Sequence, residues 1–167
     1  MKEKLARYIK ENLILPSERL GMGARCKSVI FNDEAMLSLE SVNNNIINYI
    51  DDNKNENKFQ TLLFKYIDER NLKDSDVYNK VHIDRRLFAK IRSNANYHPS
   101  KETIILLALA LKLSLEEFMA LLESASYGLP KNNYFDLIIR FCFINGIYDI
   151  KDVNELLVLY NCKLFNY

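Results

Sequence analysis

The densest group of basic side chains lies between residues 80 and 101, where six Lys or Arg residues accompany a single acid, Asp84. The six are Lys80, Arg85, Arg86, Lys90, Arg92 and Lys101. The surplus is local, because the 167-residue chain has a formal net charge of only +1. A cationic patch on a near-neutral chain is typical of a protein that contacts the phosphates of nucleic acid. The alternative interpretation is a solvated basic face that binds nothing.

Spacing within this segment predicts that its charges share one side of a short helix. Phe88 and Ile91 lie three residues apart and are expected to face the core. Asp84 precedes them as a good N-cap, because its carboxylate can accept from the free N–H groups of the next turn. The basic residues of 85–92 are therefore expected to face outward, and Leu87 leans the same way.

The chemistry of these cations suggests two roles. Arg is the usual reader of guanine in the major groove, so we expect Arg85, Arg86 and Lys90 to contact bases and phosphates. The other cations of the segment are expected to hold the nucleic-acid backbone: Lys80, Arg92 and Lys101.

Signatures of catalysis or of metal binding are not evident. His82 and His98 have no acid placed to orient them and no metal-ligand spacing to a Cys, so we expect no enzyme, no metal and no cofactor. The Gly21-x-Gly23 pair lacks the rest of a phosphate loop. The cysteines form no CxxC pair, and free thiols in an odd number suggest a reducing cytoplasm: Cys26, Cys142 and Cys162. No run approaches the roughly 20 apolar residues of a membrane span.

The elements that must position the cations are predicted to be helical. Hydrophobic residues make up 49% of the chain, and four Gly and three Pro leave few helix breakers. Apolar residues at helical spacing predict helices over 4–14, 59–67, 75–81, 85–92, 100–111, 114–122, 134–142 and 153–160, with a weaker one over 37–50. Their expected caps, besides Asp84, are Ser100, Ser114 and either Asp149 or Asp152.

The main domain boundary is expected at residues 51–58, which contain no apolar side chain. We therefore predict an N-terminal helical extension and linker over 1–58, followed by a helical domain over 59–167. Tyr134, Phe135, Leu137, Ile138 and Phe141 make the later part of that domain almost apolar all round. Such a helix is buried, against its own domain or against a partner.

The five predicted helices from residue 59 have a short second and third helix joined by a tight turn. Pro99-Ser100, residues 107–111 and residues 114–117 follow in that order. This pattern resembles the lambda-repressor and Xre-like helix-turn-helix family over residues 59–122. The resemblance implies an all-α, five-helix DNA-binding domain, extended here by C-terminal helices and by a short N-terminal helix. Its third helix would lie in the major groove.

Four residues depart from that family's usual pattern. Asp74 and Asp76 stand near the start of the second helix, where two carboxylates would repel a phosphate unless they point away as caps. Tyr78 replaces a usual Ala and implies altered packing between the two short helices. His82 replaces a usual Gly, and a left-handed turn is less easy for it. These departures leave RNA and protein partners open beside DNA.

A second resemblance rests on residues 83–88, 90–92, 135–139 and 146–150. Their wording is similar to a bacterial C-terminal module that follows macro or von Willebrand type A domains. The module implies no established chemistry. Because only 58 residues precede Phe59 in this sequence, the function of such a partner domain is not expected to transfer.

Two hypotheses follow from the sequence. The first is a cytoplasmic DNA-binding or RNA-binding regulator, which would dimerise through the aromatic-rich residues 134–143. The second is a protein-binding adaptor or inhibitor, of the kind that a bacterium, a phage or a mobile element encodes. In that case the N-terminal helix and Leu87 would matter more than the arginines.

Overall fold

A computed structural model of the chain describes residues 1–13, 44, 46–48, 58–94 and 97–166. Regular structure in these residues is helical, without a strand, so the predicted all-α class is confirmed. The helices with defined bounds are α1 (Lys2–Asn12), α2 (Lys58–Glu69), α3 (Asp74–Lys80), α4 (Arg85–Ser93), α5 (Lys101–Ala110), α6 (Leu115–Ser124), α7 (Tyr134–Ile144) and α8 (Ile150–Val158).

Part of the predicted N-terminal region lies outside the described residues. This applies to the Gly21-x-Gly23 pair, to Cys26 and to the linker up to residue 57. Residues 44 and 46–48 are helical and fall within the weak helix predicted over 37–50.

Polar side chains fix the point at which each helix from α4 onward begins. Each accepts a hydrogen bond from a backbone N–H of the first turn: Asp84, Ser100, Ser114, Asn133 and Asp149. At α6 the capping is reciprocal, because the Glu117 carboxylate also accepts from the Ser114 N–H at 2.7 Å. Three predicted caps are confirmed, and of the two candidates before α8 the cap is Asp149.

Six helices end in the same way, with one residue in the left-handed region: Asn71, His82, Lys112, Ser126, Gly146 and Asn161. In each case the next residue donates its N–H to a carbonyl of the last helical turn, as Ile83 does to Tyr78 at 2.9 Å. After four of the six that next residue is apolar and buried or partly buried, as with Ile83, Leu113, Ile147 and Cys162, whereas Leu72 stays exposed. Only one of the six left-handed residues is a glycine, although glycine tolerates this conformation best.

The core is built around α5, whose residues 104, 105 and 107–110 are all buried. Helix α5 packs on α3 and α6, and α2 packs on α6. Helix α6 contacts the C-terminal helices through Phe118, whose ring stacks on that of Phe143 at a centroid distance of 3.9 Å. A single apolar core therefore runs from the short helices through to α8.

Helix α1 packs against α7. Leu5 and Ile9 are buried, and the Tyr8 ring lies 5.5 Å from the ring of Phe141. Since α1, α6 and α8 all pack on α7, most of residues 134–143 are covered by the chain itself. The predicted dimer surface is therefore wrong for the buried residues of this segment. Only Tyr134, Phe135 and the partly covered Arg140 stay accessible.

Candidate nucleic-acid interface

Helix α4 has one buried side and one exposed side. Phe88 and Ile91 are each 2% exposed, whereas Arg85, Arg86 and Lys90 are open to solvent. At about 100° per residue, Arg86 and Lys90 share one row and Arg85 begins the row beside it. Arg86 and Lys90 thus lie on the side of α4 opposite its two buried residues, and Arg85 lies at the edge of that side.

Aromatic side chains hold α4 against its neighbours. The Phe88 ring lies 5.6 Å from that of Tyr78 on α3 and 6.1 Å from that of Phe64 on α2. Tyr78 is thus accommodated as part of the packing between the two short helices. His82 adopts a φ of +52°, so the turn takes the left-handed form without a glycine. Together with the Asp84 cap, these contacts fix where α4 begins and which side it exposes.

Arg92 is engaged within the chain. Its Nη2 donates to Asp74 Oδ1 at 2.6 Å, and its guanidinium lies 4.1 Å from the centroid of the Phe64 ring. Asp74, one of the two acids expected to repel a phosphate, is therefore paired with a cation. The other acid, Asp76, is exposed and accepts a long bond of 3.4 Å from the Lys73 N–H.

Lys101 forms a part-buried ion pair that joins the start of α5 to α7. Its Nζ lies 2.6 Å from Asp136 Oδ1, and the Asp136 side chain is only 4% exposed. Asp136 also accepts from the side-chain amide of Asn133 at 2.8 Å. A cation held in this way stabilises the fold and is not available to a ligand.

Lys80 is also engaged, because its Nζ donates to the carbonyl of Ala110 at the end of α5, at 2.9 Å. Burial lowers the pKa of Lys80, and the nearby charge of Lys112 lowers it further. Lys80 therefore joins α3 to α5 rather than standing free beside α4.

The other three predicted cations, Arg85, Arg86 and Lys90, are exposed on α4. Within the described residues, the side chains of Arg85 and Arg86 form no ion pair and no hydrogen bond. Lys90 extends over the ring of Tyr97, with its Nζ 4.4 Å from the ring centroid. Tyr97 is not among the site residues predicted from the sequence. An aromatic residue seven positions after a lysine, beyond the end of its helix, gives little signal by itself.

Arg70 and Glu117 form an ion pair that the sequence does not suggest. The Arg70 Nη2 donates to both carboxylate oxygens of Glu117, at 2.9 and 2.8 Å, and joins the end of α2 to the start of α6. Burial raises the pKa of Glu117, but the hydrogen bonds from Arg70 and Ser114 outweigh it and leave that pKa below its ordinary value. Helix α2 in turn contacts α4 through the rings of Phe64 and Phe88.

Other reactive side chains have structural surroundings. His98 Nε2 lies 2.7 Å from the carbonyl oxygen of Ala125, and its ring packs on Tyr127. Burial, helped by the charge of Asp152, raises the pKa of the Cys142 thiol to about 12. In the part of the chain that the structure describes, no three His, Cys, Asp or Glu residues are grouped to hold a metal ion.

None of the described helices combines the length and the apolar character that a bilayer crossing requires. Comparison of the chain with protein-family models, with curated proteins and with solved structures finds no match. The likeness to the helix-turn-helix family and the likeness to the C-terminal module therefore rest on the quoted residues alone.

Proposed function

We propose that this protein is a nucleic-acid-binding regulator of the helix-turn-helix type, which presents α4 to the major groove of a DNA duplex. Helices α3 and α4 would be the two helices of the motif, and residues 81–84 would be its turn. The observation that carries the proposal is the exposed group of Arg85, Arg86 and Lys90 on a helix whose Phe88 and Ile91 are anchored in the core.

The physical case rests on charge that is available and positioned. A guanidinium that is paired within the chain must lose its partner before it binds a base, whereas Arg85 and Arg86 have no such partner among the described residues. Each bidentate contact of an Arg with guanine is worth about 1–3 kcal/mol of discrimination between bases. Three open cations also predict a modest salt dependence. The logarithm of the association constant should fall by roughly 0.9 per unit of log salt concentration for each neutralised phosphate.

The test is duplex binding, measured by fluorescence anisotropy over a range of salt concentrations with DNA selected from a genomic pool. The double variant Arg85→Ala, Arg86→Ala should weaken binding at least tenfold and flatten the salt dependence. A matched control removes two exposed cations from α1, as Arg7→Ala, Lys10→Ala, and should bind as the unaltered protein does. Equal retention of duplex by the α4 variant and the control would overturn the proposal, as would a preference for RNA over DNA.

A protein partner is the second candidate, favoured by the end of α8. Val158 and Leu159 are consecutive and expose 56% and 44% of their surface, which is high for large apolar residues. The features first suspected for this role contribute less, because Leu87 is half-buried and the apolar side of α1 lies against α7. Recovery of one dominant protein from source cells, unchanged by nuclease and lost in Val158→Asp, would favour this candidate.

A further inference from the structure

A cleft of about 560 Å³ lies where three helix-ending turns meet the first turn of α8. The left-handed residues of those turns line it: His82 after α3, Lys112 after α5 and Gly146 after α7. Its volume falls in the range of small-molecule sites, roughly 300–1,000 Å³. Tyr148 stiffens the wall, because its hydroxyl donates to the carbonyl of Leu113 at 3.0 Å.

Three lysines bring positive charge to this cleft from three separate parts of the chain: Lys80, Lys112 and Lys151. Lys80 and Lys112 are close enough for the charge of one to disfavour the charge of the other. Lys80 is held in place by its bond to the Ala110 carbonyl, which uses one of its three N–H donors. An anion between the two ammonium groups would relieve their repulsion.

The first turn of α8 adds backbone donors to the same cleft, which Ile150, Lys151 and Asp152 line. The first N–H groups of a helix have no carbonyl partner within it, and they favour a negative charge. The Asp149 carboxylate caps one of them, that of Lys151, at 2.8 Å. Asp149 and Asp152 oppose the three lysines, so the site favours a compact anion held by directed donors over a large polyanion.

We propose that this cleft binds a phosphate monoester, with the phosphate between Lys112, Lys151 and the first turn of α8, and with Lys80 behind it. The organic part of the ligand would lie along Ile147 and Tyr148. Neither Arg85, Arg86 nor Lys90 lines the cleft, so the site is separate from the face of α4 and independent of the function proposed for that face. The same chemistry fits a free nucleotide and the 5′-phosphate end of a nucleic-acid strand.

Titration of the full chain, followed by amide chemical shifts at constant ionic strength, tests the site. The probes are inorganic phosphate, adenosine monophosphate, and a short oligonucleotide with and without its 5′-phosphate. We expect saturable shifts centred on residues 112 and 145–152. The variant Lys112→Asn, Lys151→Gln should weaken phosphate binding at least tenfold, and Asn suits the left-handed position 112. Circular dichroism verifies that the variant is folded.

Two controls separate this site from the α4 face. Lys131→Gln removes an exposed lysine outside the cleft, and Arg85→Ala, Arg86→Ala removes two of the three open cations of α4. Both should leave the titrations with inorganic phosphate and with adenosine monophosphate unchanged. A tighter response to the monophosphate identifies a free nucleotide, and a tighter response to the phosphorylated strand identifies a strand end. Shifts spread over all basic surfaces, or equal binding by the cleft variant, would overturn the proposal.

Discussion

The two arginines at the start of α4 and the lysine at the start of α5 carry the same charge, but the arginines are exposed and the lysine is paired with a buried acid. Arg85 and Arg86 extend into solvent, whereas Lys101 lies against a buried carboxylate, Asp136. The partner of Lys101 stands 35 residues further along the chain and reaches it through the packing of α7. Charge density along a sequence therefore does not distinguish a cation that can bind a ligand from one that holds two helices together.

The largest effect expected from this contrast is on stability. Replacing Lys101 with Met leaves Asp136 buried without its cation, which should lower the free energy of unfolding by about 3–5 kcal/mol. Arg85→Ala, at an exposed site, should change it by less than about 0.5 kcal/mol. Urea unfolding followed by circular dichroism measures both. The double variant Lys101→Met, Asp136→Asn should recover part of the loss, and equal midpoints for the two single variants would show that the contrast does not hold.

A smaller effect is expected at Arg70, which is partly exposed. Arg70→Met should cost about 1 kcal/mol or less at neutral pH, because Glu117 keeps its hydrogen bond to Ser114. The lowered pKa of Glu117 means that its contribution is complete above the unfolded carboxyl pKa, near 4.3, and is lost as the pH falls through the folded value.

The gap in unfolding free energy between the unaltered protein and Arg70→Met should therefore close as the pH falls through the lowered pKa of Glu117. Urea titrations at pH 7 and in acid give the two values. A gap that persists in acid would show that Arg70 acts through packing alone.

The smallest effect concerns Asp74. Asp74→Asn removes a negative charge beside α4 and weakens its hold on Arg92, so duplex affinity should rise by roughly threefold, as for one partly exposed charge pair. Anisotropy at low salt measures it, with Glu155→Gln on α8 as the matched loss of one exposed acid. Weaker binding by the Asp74 variant would mean that the ion pair positions Arg92 for a phosphate.

Local pattern was enough to predict the helices but not their long-range contacts. Apolar spacing and the caps at Asp84, Ser100 and Ser114 act within one or two turns, and the structure has helices beginning at those points. The left-handed conformation of His82 could be predicted only as less easy than it would be for the Gly that is usual at this position in the family. The sequence shows the residue type and does not show the φ angle that the turn requires.

The candidate site was predictable on one helix only. The outward direction of Arg85, Arg86 and Lys90 follows from Phe88 and Ile91, which lie within the same two turns. The partners of Arg92, Lys80 and Lys101 lie 18, 30 and 35 residues away, so their pairing depends on how the helices pack. The cleft that Lys112 and Lys151 line could not be predicted from local sequence at all, because its walls come from three turns and a helix start.

The contact of α1 with α7 has a consequence for the order in which the protein assembles. Leu5 and Ile9 meet a helix that lies far away in the sequence, and closing so long a loop costs conformational entropy before any burial offsets it. Helices α2 to α8, by contrast, follow one another through connections of at most nine residues. Their contacts can form early, so we expect α1 to join last and to be the first element to detach in local opening. Amide hydrogens of α1 should therefore exchange with solvent faster than those of the helix it covers.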